Sequence, residues 1–276
     1  MNRLLIRYAI PGALLALASC NDIAEDERFI PVDPVQPARV VLIEDFTGQN
    51  CVNCPDAHGV IERLEEQYPG AIVAVSIHAG DFAIGKELTS FDDNFIGLKT
   101  EEGQKYNDMW GIKAWPAGVV NRRGGAAEHD KWSTIVDDEL EREADVAIDL
   151  TAALEDSDIK IDVTLEPQAD INGYLQVWIV ESGIVARQRS SHGTDKNYVH
   201  NNVFRAAVNG LDGDKVTLTT GVHQSKSYSI PLRYNEQERW MPENLSVVAF
   251  VADGNGVHQA AITRLSGKTA EDDESI

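Results

Sequence analysis

The chain has 276 residues, three cysteines and a formal net charge of −21, with 43% of its residues hydrophobic. Such acidity argues against a nucleic-acid partner, so none is expected, and against docking on anionic lipid headgroups. The length leaves room for more than one hydrophobic core.

The N-terminus reads as a targeting signal. Arg3 and Arg7 precede an apolar run from Ala9 to Leu17, shorter than the ~20 residues a spanning helix needs. The run ends in Leu17-Ala18-Ser19-Cys20, which resembles a bacterial lipobox. That resemblance implies a signal peptide over 1–19, cleavage before Cys20 and lipidation of Cys20. The membrane is then reached through the lipid anchor only, and several acyl chains make such anchoring stable. A secretory signal with a chance cysteine is the plainer alternative. Loss of Arg3 and Arg7 with the signal leaves the remainder more acidic still. Residues 20–38 combine the acylated cysteine with an acidic, proline-rich stretch, expected to be a tether rising ~3.1 Å per residue where extended. Within it, Glu25-Asp26-Glu27 resembles the surface-export signals of Bacteroidetes lipoproteins, although a solvated charge run explains it equally.

From 39 to 144, unbroken apolar runs alternate with helical spacing. Val40–Ile43 and Ile72–Ile77 have the composition of strands buried on both faces. Between them, Val60, Ile61, Leu64 and Tyr68 recur at helical spacing until Pro69-Gly70 stops the helix. This is a βαβ unit. Residues 79–97 have the character of an insertion before a helix around 98–109.

Cys51 and Cys54 lie in Gln49-Asn50-Cys51-Val52-Asn53-Cys54-Pro55, between the first strand and its helix. A C-x-x-C there resembles the thioredoxin redox motif. The free N–H groups and partial positive charge of a helix start stabilise a thiolate, and Pro55 is tolerated only in a first turn. Cys51 is expected at the exposed end as the attacking thiol, with Cys54 shielded. Thioredoxins carry an acid followed by Phe six residues before the first cysteine, and Asp45-Phe46 hold that spacing here. A buried Asp45 carboxyl would exchange a proton with the second thiol, with Glu44 a competing claimant. Gly111-Ile112-Lys113-Ala114-Trp115-Pro116 before an apolar strand resembles the thioredoxin segment whose cis-proline, here Pro116, faces the cysteine pair. Two departures stand out. Val-Asn separates the cysteines where thioredoxin has Gly-Pro, and no tryptophan precedes Cys51.

Metal binding is the competing chemistry. Cys54 and His58 stand four apart on one helix face, and His78 ends the second strand. An exported thiol pair is more often a disulfide, and no second C-x-x-C completes a zinc site. No metal and no cofactor is therefore expected.

From 145 to 267 the helical spacing vanishes. Ile159, Ile161, Val163 and Leu165 alternate with polar residues, and short strands follow near 174–181, 215–220, 227–234, 245–252 and 257–263. Asp212-Gly213-Asp214 and Asp253-Gly254-Asn255-Gly256 are read as turns, since neither has the ligand spacing of a calcium loop. The fold class expected is an α/β thioredoxin-like domain followed by an all-β immunoglobulin-like sandwich. Residues 268–276 form an acidic tail.

Glu44-Asp45-Phe46-Thr47-Gly48-Gln49 before the C-x-x-C-Pro, together with Tyr198-Val199-His200-Asn201-Asn202-Val203-Phe204-Arg205, resembles the twenty-eight-kilodalton outer-membrane lipoprotein family of the Bacteroidetes. The resemblance implies both domains and an outer-membrane address, periplasmic or cell-surface facing, but no established reaction. Three functions stay open. One is thiol–disulfide exchange on exported proteins or with a redox partner. The second is a binding or adhesion lipoprotein in which the pair is a structural disulfide, and the third a metal carrier.

Overall fold

A computed structural model describes residues 38–267. The signal, the lipidation site Cys20, the tether and the acidic tail lie outside the described residues. The first half runs β1 (Val41–Thr47), α1 (Cys54–Gln67), β2 (Ile72–His78), α2 (Glu101–Met109), β3 (Ala117–Val120), β4 (Ala126–Ala127) and α3 (Trp132–Leu140). β1 and β2 pair in parallel and every residue of both is buried, as their unbroken apolar runs require. Alternation splits β1 between two faces. Val41 and Ile43 pack with α1 and α3, whereas Leu42 and Phe46 pack with Tyr106 of α2. Asp45 therefore lies on the α1 face and Glu44 on the other.

Between β2 and α2, residues 79–97 form three single-turn 3-10 segments, Gly80–Phe82, Lys86–Leu88 and Phe91–Asp93. They lie over the end of β1, where the Asn50 N–H donates to the Phe82 carbonyl at 2.8 Å. A β-carbon on Gly48 would collide with the Phe82–Ala83 backbone, so only glycine lets this segment approach. α2 starts a few residues later than the spacing suggests. Thr100 caps it by accepting from the Gly103 N–H at 2.9 Å, and Glu101 and Glu102 favour its positive end.

After α3 every element is a strand apart from one short 3-10 turn at Pro242–Asn244: β5 (Val146–Glu155), β6 (Asp158–Pro167), β7 (Ile171–Glu181), β8 (Ile184–Ser190), β9 (Gly193–His200), β10 (Val203–Ala207), β11 (Asp214–Leu218), β12 (Gln224–Pro231), β13 (Leu245–Asp253), β14 (Gly256–Arg264) and β15 (Ser266–Gly267). The change from helix to strand falls where the spacing puts it. β12-β6-β5-β15 make one sheet, whose Ile159, Ile161, Val163 and Leu165 pack against β7 and β13 in a β-sandwich core. Asp253–Gly256 joins β13 to β14 as a hairpin, whereas the turn at 212–214 joins two strands that both pair with β7 rather than with each other.

The sheet does not stop at the boundary. The order β14-β13-β7-β10-β2-β1-β3-β4 is continuous, because Val203 of β10 pairs in parallel with Ser76 of β2. At this seam Trp178 and Phe250 of the β half pack edge-on with ring centroids 4.8 Å apart, and Trp178 and Phe204 meet Tyr106 of α2 at 5.0 and 5.8 Å. Each such pair adds about 0.5–1.5 kcal/mol beyond its burial. One layer of the sandwich is thus the extension of the α/β sheet, a feature that local periodicity does not carry. Among the described residues no helix is long and apolar enough to cross a membrane.

Candidate functional site

Cys51 and Cys54 are joined by a disulfide, with Cα atoms 5.5 Å apart. Cys54 is the first residue of α1 and Pro55 lies in its first turn, so the sulfur pair sits at the positive end of the helix. Val52 and Asn53 are exposed, but Cys51 is only 2% exposed and Cys54 fully buried. The expected exposed end for Cys51 is thus corrected, and the reason is a cover contributed from far along the chain. β8 and β9 form a separate two-stranded hairpin. From it, the Gln188 side-chain amide donates to the carbonyls of Cys51 at 2.9 Å and Gly48 at 3.3 Å. The Arg189 N–H donates to the Gln49 carbonyl at 2.8 Å.

On the other side of the pair, an open groove is lined by Asn53 and Asp56 of the helix start, the 111–117 segment and residues 126–130. The Trp115–Pro116 bond is cis. The Trp115 indole donates to Asn107 at 3.2 Å and stands edge-on to Phe82. Gly80, at φ +69°, has no room for a side chain against that indole.

Under α1 the two competing carboxylates part company. Glu44 is held by Arg122 through two contacts, 2.6 and 3.2 Å, while the guanidinium lies over the Phe250 ring at 4.7 Å. Asp45 is fully buried, and neither carboxylate oxygen makes a hydrogen bond within the protein. Its single polar neighbour of note is His58 Nε2, 3.4 Å away. His58 Nε2 also meets the Thr47 hydroxyl at 3.1 Å, and its Nδ1 meets the Tyr198 hydroxyl at 2.7 Å.

Two further histidines face this group. His78 ends β2 and His200 ends β9, with ring centroids 5.3 Å apart, and Tyr198 stands edge-on to His200 at 4.8 Å. Both rings are 2% exposed and none of their four nitrogens reaches a partner in hydrogen-bond geometry. Burial and the neighbouring histidines push His78 well below the usual range. Burial and, after it, the neighbouring His58 lower His200 to about 3, against the Arg187 and Ala186 backbone. Both imidazoles are therefore neutral. Burial also raises the Tyr198 phenol to about 12. With His58, Glu62, Glu65 and Ser76, they border a small cavity of about 50 Å³. Sequence spacing missed His200 and Tyr198 because β9 returns to α1 only through tertiary structure. The one local signal was Ser191-His192-Gly193, a turn sequence between the two stretches that pair. Cys54, His58 and His78, the residues weighed for a metal, do not close into a coordination shell. Among the described residues no three His, Cys, Asp or Glu side chains are gathered for that.

The fold and site define a mixed α/β protein with a β-sandwich grown onto its sheet and a covered disulfide at a helix start. A family model for outer membrane protein Omp28 matches residues 103–266, and the chain belongs to that family. Among solved structures it is similar to HBP35 of Porphyromonas gingivalis, with TM-score 0.66 and 15% identity over 87% of this chain and 79% of that one. That likeness shows a shared fold. A domain of the outer membrane lipoprotein Omp28 from Porphyromonas gingivalis also matches, with 20% identity over 46% of this chain and 92% of that one, at a TM-score of 0.34. No curated protein matches the chain.

Proposed function

We propose that this family member is a lipoprotein anchored through Cys20, whose residues 39–144 form a thioredoxin-like domain that exchanges disulfides with exported proteins. In this reading Cys51 is the attacking thiol, Cys54 resolves the mixed disulfide, Asp45 handles the Cys54 proton, and Pro116 borders the peptide groove. Residues 145–267 are read as an immunoglobulin-type sandwich that lends one sheet to its neighbour. No cofactor is required.

The observation that carries the reading is Asp45. A carboxylate buried without a hydrogen bond costs several kcal/mol, and a purely structural disulfide has no use for one beneath its helix. A buried polar group left without a partner in a folded protein calls for a functional explanation. A second reading has its own support, because both cysteines are buried beneath Gln188 and Arg189. In that case the disulfide is structural and the protein is a binding lipoprotein.

The reduction potential of the pair separates the two. Exchange predicts a value above ≈ −280 mV, whereas a structural disulfide lies below ≈ −300 mV. Cys54→Ser should trap mixed disulfides with envelope proteins through Cys51, and Cys51→Ser should trap few. A low potential with no trapped partner would assign the binding role instead. The anchor is tested apart from this: Cys20→Ala should move the protein from carbonate-washed membranes to the soluble fraction.

A further inference from the structure

Resting on the exchange reading, we infer that His58 and Tyr198 form the proton path between buried Asp45 and solvent, with the histidine-lined cavity as its outlet. Asp45 cannot trade protons with water directly, since it is fully buried on a strand with both faces covered. His58 Nε2 lies 3.4 Å from Asp45 Oδ2, and it carries the proton in the tautomer that this path requires. The same ring contacts Tyr198 through its other nitrogen at 2.7 Å, and its side chain is 14% exposed. An imidazole held by both nitrogens can take a proton at one and release it at the other.

The step balances with a dithiol substrate as reductant. A substrate thiolate attacks Cys51 Sγ, the 51–54 bond breaks, and its electron pair passes to Cys54 Sγ. The Cys54 thiolate takes the Asp45 proton. Asp45 is reprotonated from His58 Nε2–H, and His58 Nδ1 is resupplied through the Tyr198 hydroxyl. The substrate's second thiolate then displaces Cys51, leaving substrate oxidised and the pair reduced.

Every neighbour of His58 fits this task. From β1 it faces Asp45 and the Thr47 hydroxyl. Glu62 and Glu65 border the same cavity from α1, Ser76 and His78 from β2, and Tyr198 and His200 from β9. The Tyr198 phenol keeps its proton, so it serves as a donor rather than a competing base. His78 and His200 stay neutral at working pH, so neither adds a positive charge that would hold the proton off. A cavity of about 50 Å³ holds a few water molecules, enough to complete the path outward.

The test is the pH dependence of disulfide reduction by dithiothreitol, followed by tryptophan fluorescence in the folded protein. His58→Gln should slow reduction at least about tenfold near neutral pH, alter the pH profile, and regain rate with added imidazole. Tyr198→Phe keeps the ring and removes only the hydroxyl. It should slow reduction about threefold or more, while a role confined to holding the hairpin shut would speed it. Urea unfolding of both variants shows whether the fold is retained. Normal wild-type reduction with unchanged profiles in both variants, or acceleration in Tyr198→Phe, overturns the path alone. A wild-type pair that resists dithiothreitol until the protein unfolds overturns the path and the exchange reading together.

Discussion

Two buried acids on the α1–α3 side of the sheet are treated in opposite ways. Glu139, near the end of α3, meets Arg39 at 3.1 Å, Arg123 at 2.9 Å, Arg142 at 3.1 Å and the Asn121 amide at 3.0 Å. Those partners outweigh its burial and hold its carboxyl below the usual range. Arg39 carries the join further by donating to the His258 and Val257 carbonyls of β14. Asp45, in contrast, has one histidine at 3.4 Å and no hydrogen bond. Glu139's set of partners serves cohesion, and in the exchange reading Asp45's lack of them suits a group that hands on a proton.

The largest expected effect contrasts the two directly. Glu139→Leu leaves Arg39 buried without its anion and should cost about 3 kcal/mol in urea unfolding. Asp45→Asn should leave stability within about 1 kcal/mol of wild type, since the carboxyl makes no hydrogen bond to lose. A comparable loss at both sites would erase the distinction. The same Asp45→Asn variant should slow reduction of the disulfide by dithiothreitol about a hundredfold. Unchanged kinetics would make the carboxylate incidental.

Acid should weaken the two sites in separate windows. His78 and His200 have folded-state values below the 6.5 of the unfolded chain. The unfolded state therefore binds more protons as pH falls, and stability is full above 6.5 and lost below it. For Glu139, also lowered when folded, stability is full above about 4.5 and lost only beneath it. Lowering pH from 7.5 to 5.0 should thus cost about 2 kcal/mol per buried histidine while sparing the Glu139 cluster. His200→Phe should roughly halve that slope, and a variant with the wild-type slope would show that His200 is not the group responsible. The smallest effect concerns the cover. Gln188→Ala removes the side-chain amide that fastens β8 over Cys51 and should speed reduction about tenfold, worth ~1.4 kcal/mol of opening. An unchanged rate would mean that access comes from the groove beside Pro116 instead.

Much of the frame was legible because local pattern carries it. Unbroken apolar runs mark β1 and β2, the helical spacing of Val60, Ile61 and Leu64 marks α1, and alternation marks β6. Pro55 and the C-x-x-C place the disulfide at the helix start. The spacing before Cys51 favours Asp45 but leaves Glu44 a claimant, and only the structure, with adjacent strand residues facing opposite ways, parts them. What stayed hidden is long-range. Nothing near Cys51 announces that Gln188 will cover it, and nothing near His58 announces Tyr198, 140 residues away. β8 and β9 were missed because their exposed polar residues, such as Thr194, Asp195 and Lys196, dilute the alternation. The joined sheet was missed because β10 meets β2 through a single register pair.

That single register pair sets a timetable. Ser76 leaves the ribosome 127 residues before its partner Val203, and at about 5–20 residues per second the interval is roughly 6–25 s. Throughout it, the β2 edge at Ser76 stands open, and an open edge can pair with other chains. The helices of the first half can form early, but its sheet closes only with a late, distant strand. Aggregation during synthesis should therefore be governed by how long β2 stands alone.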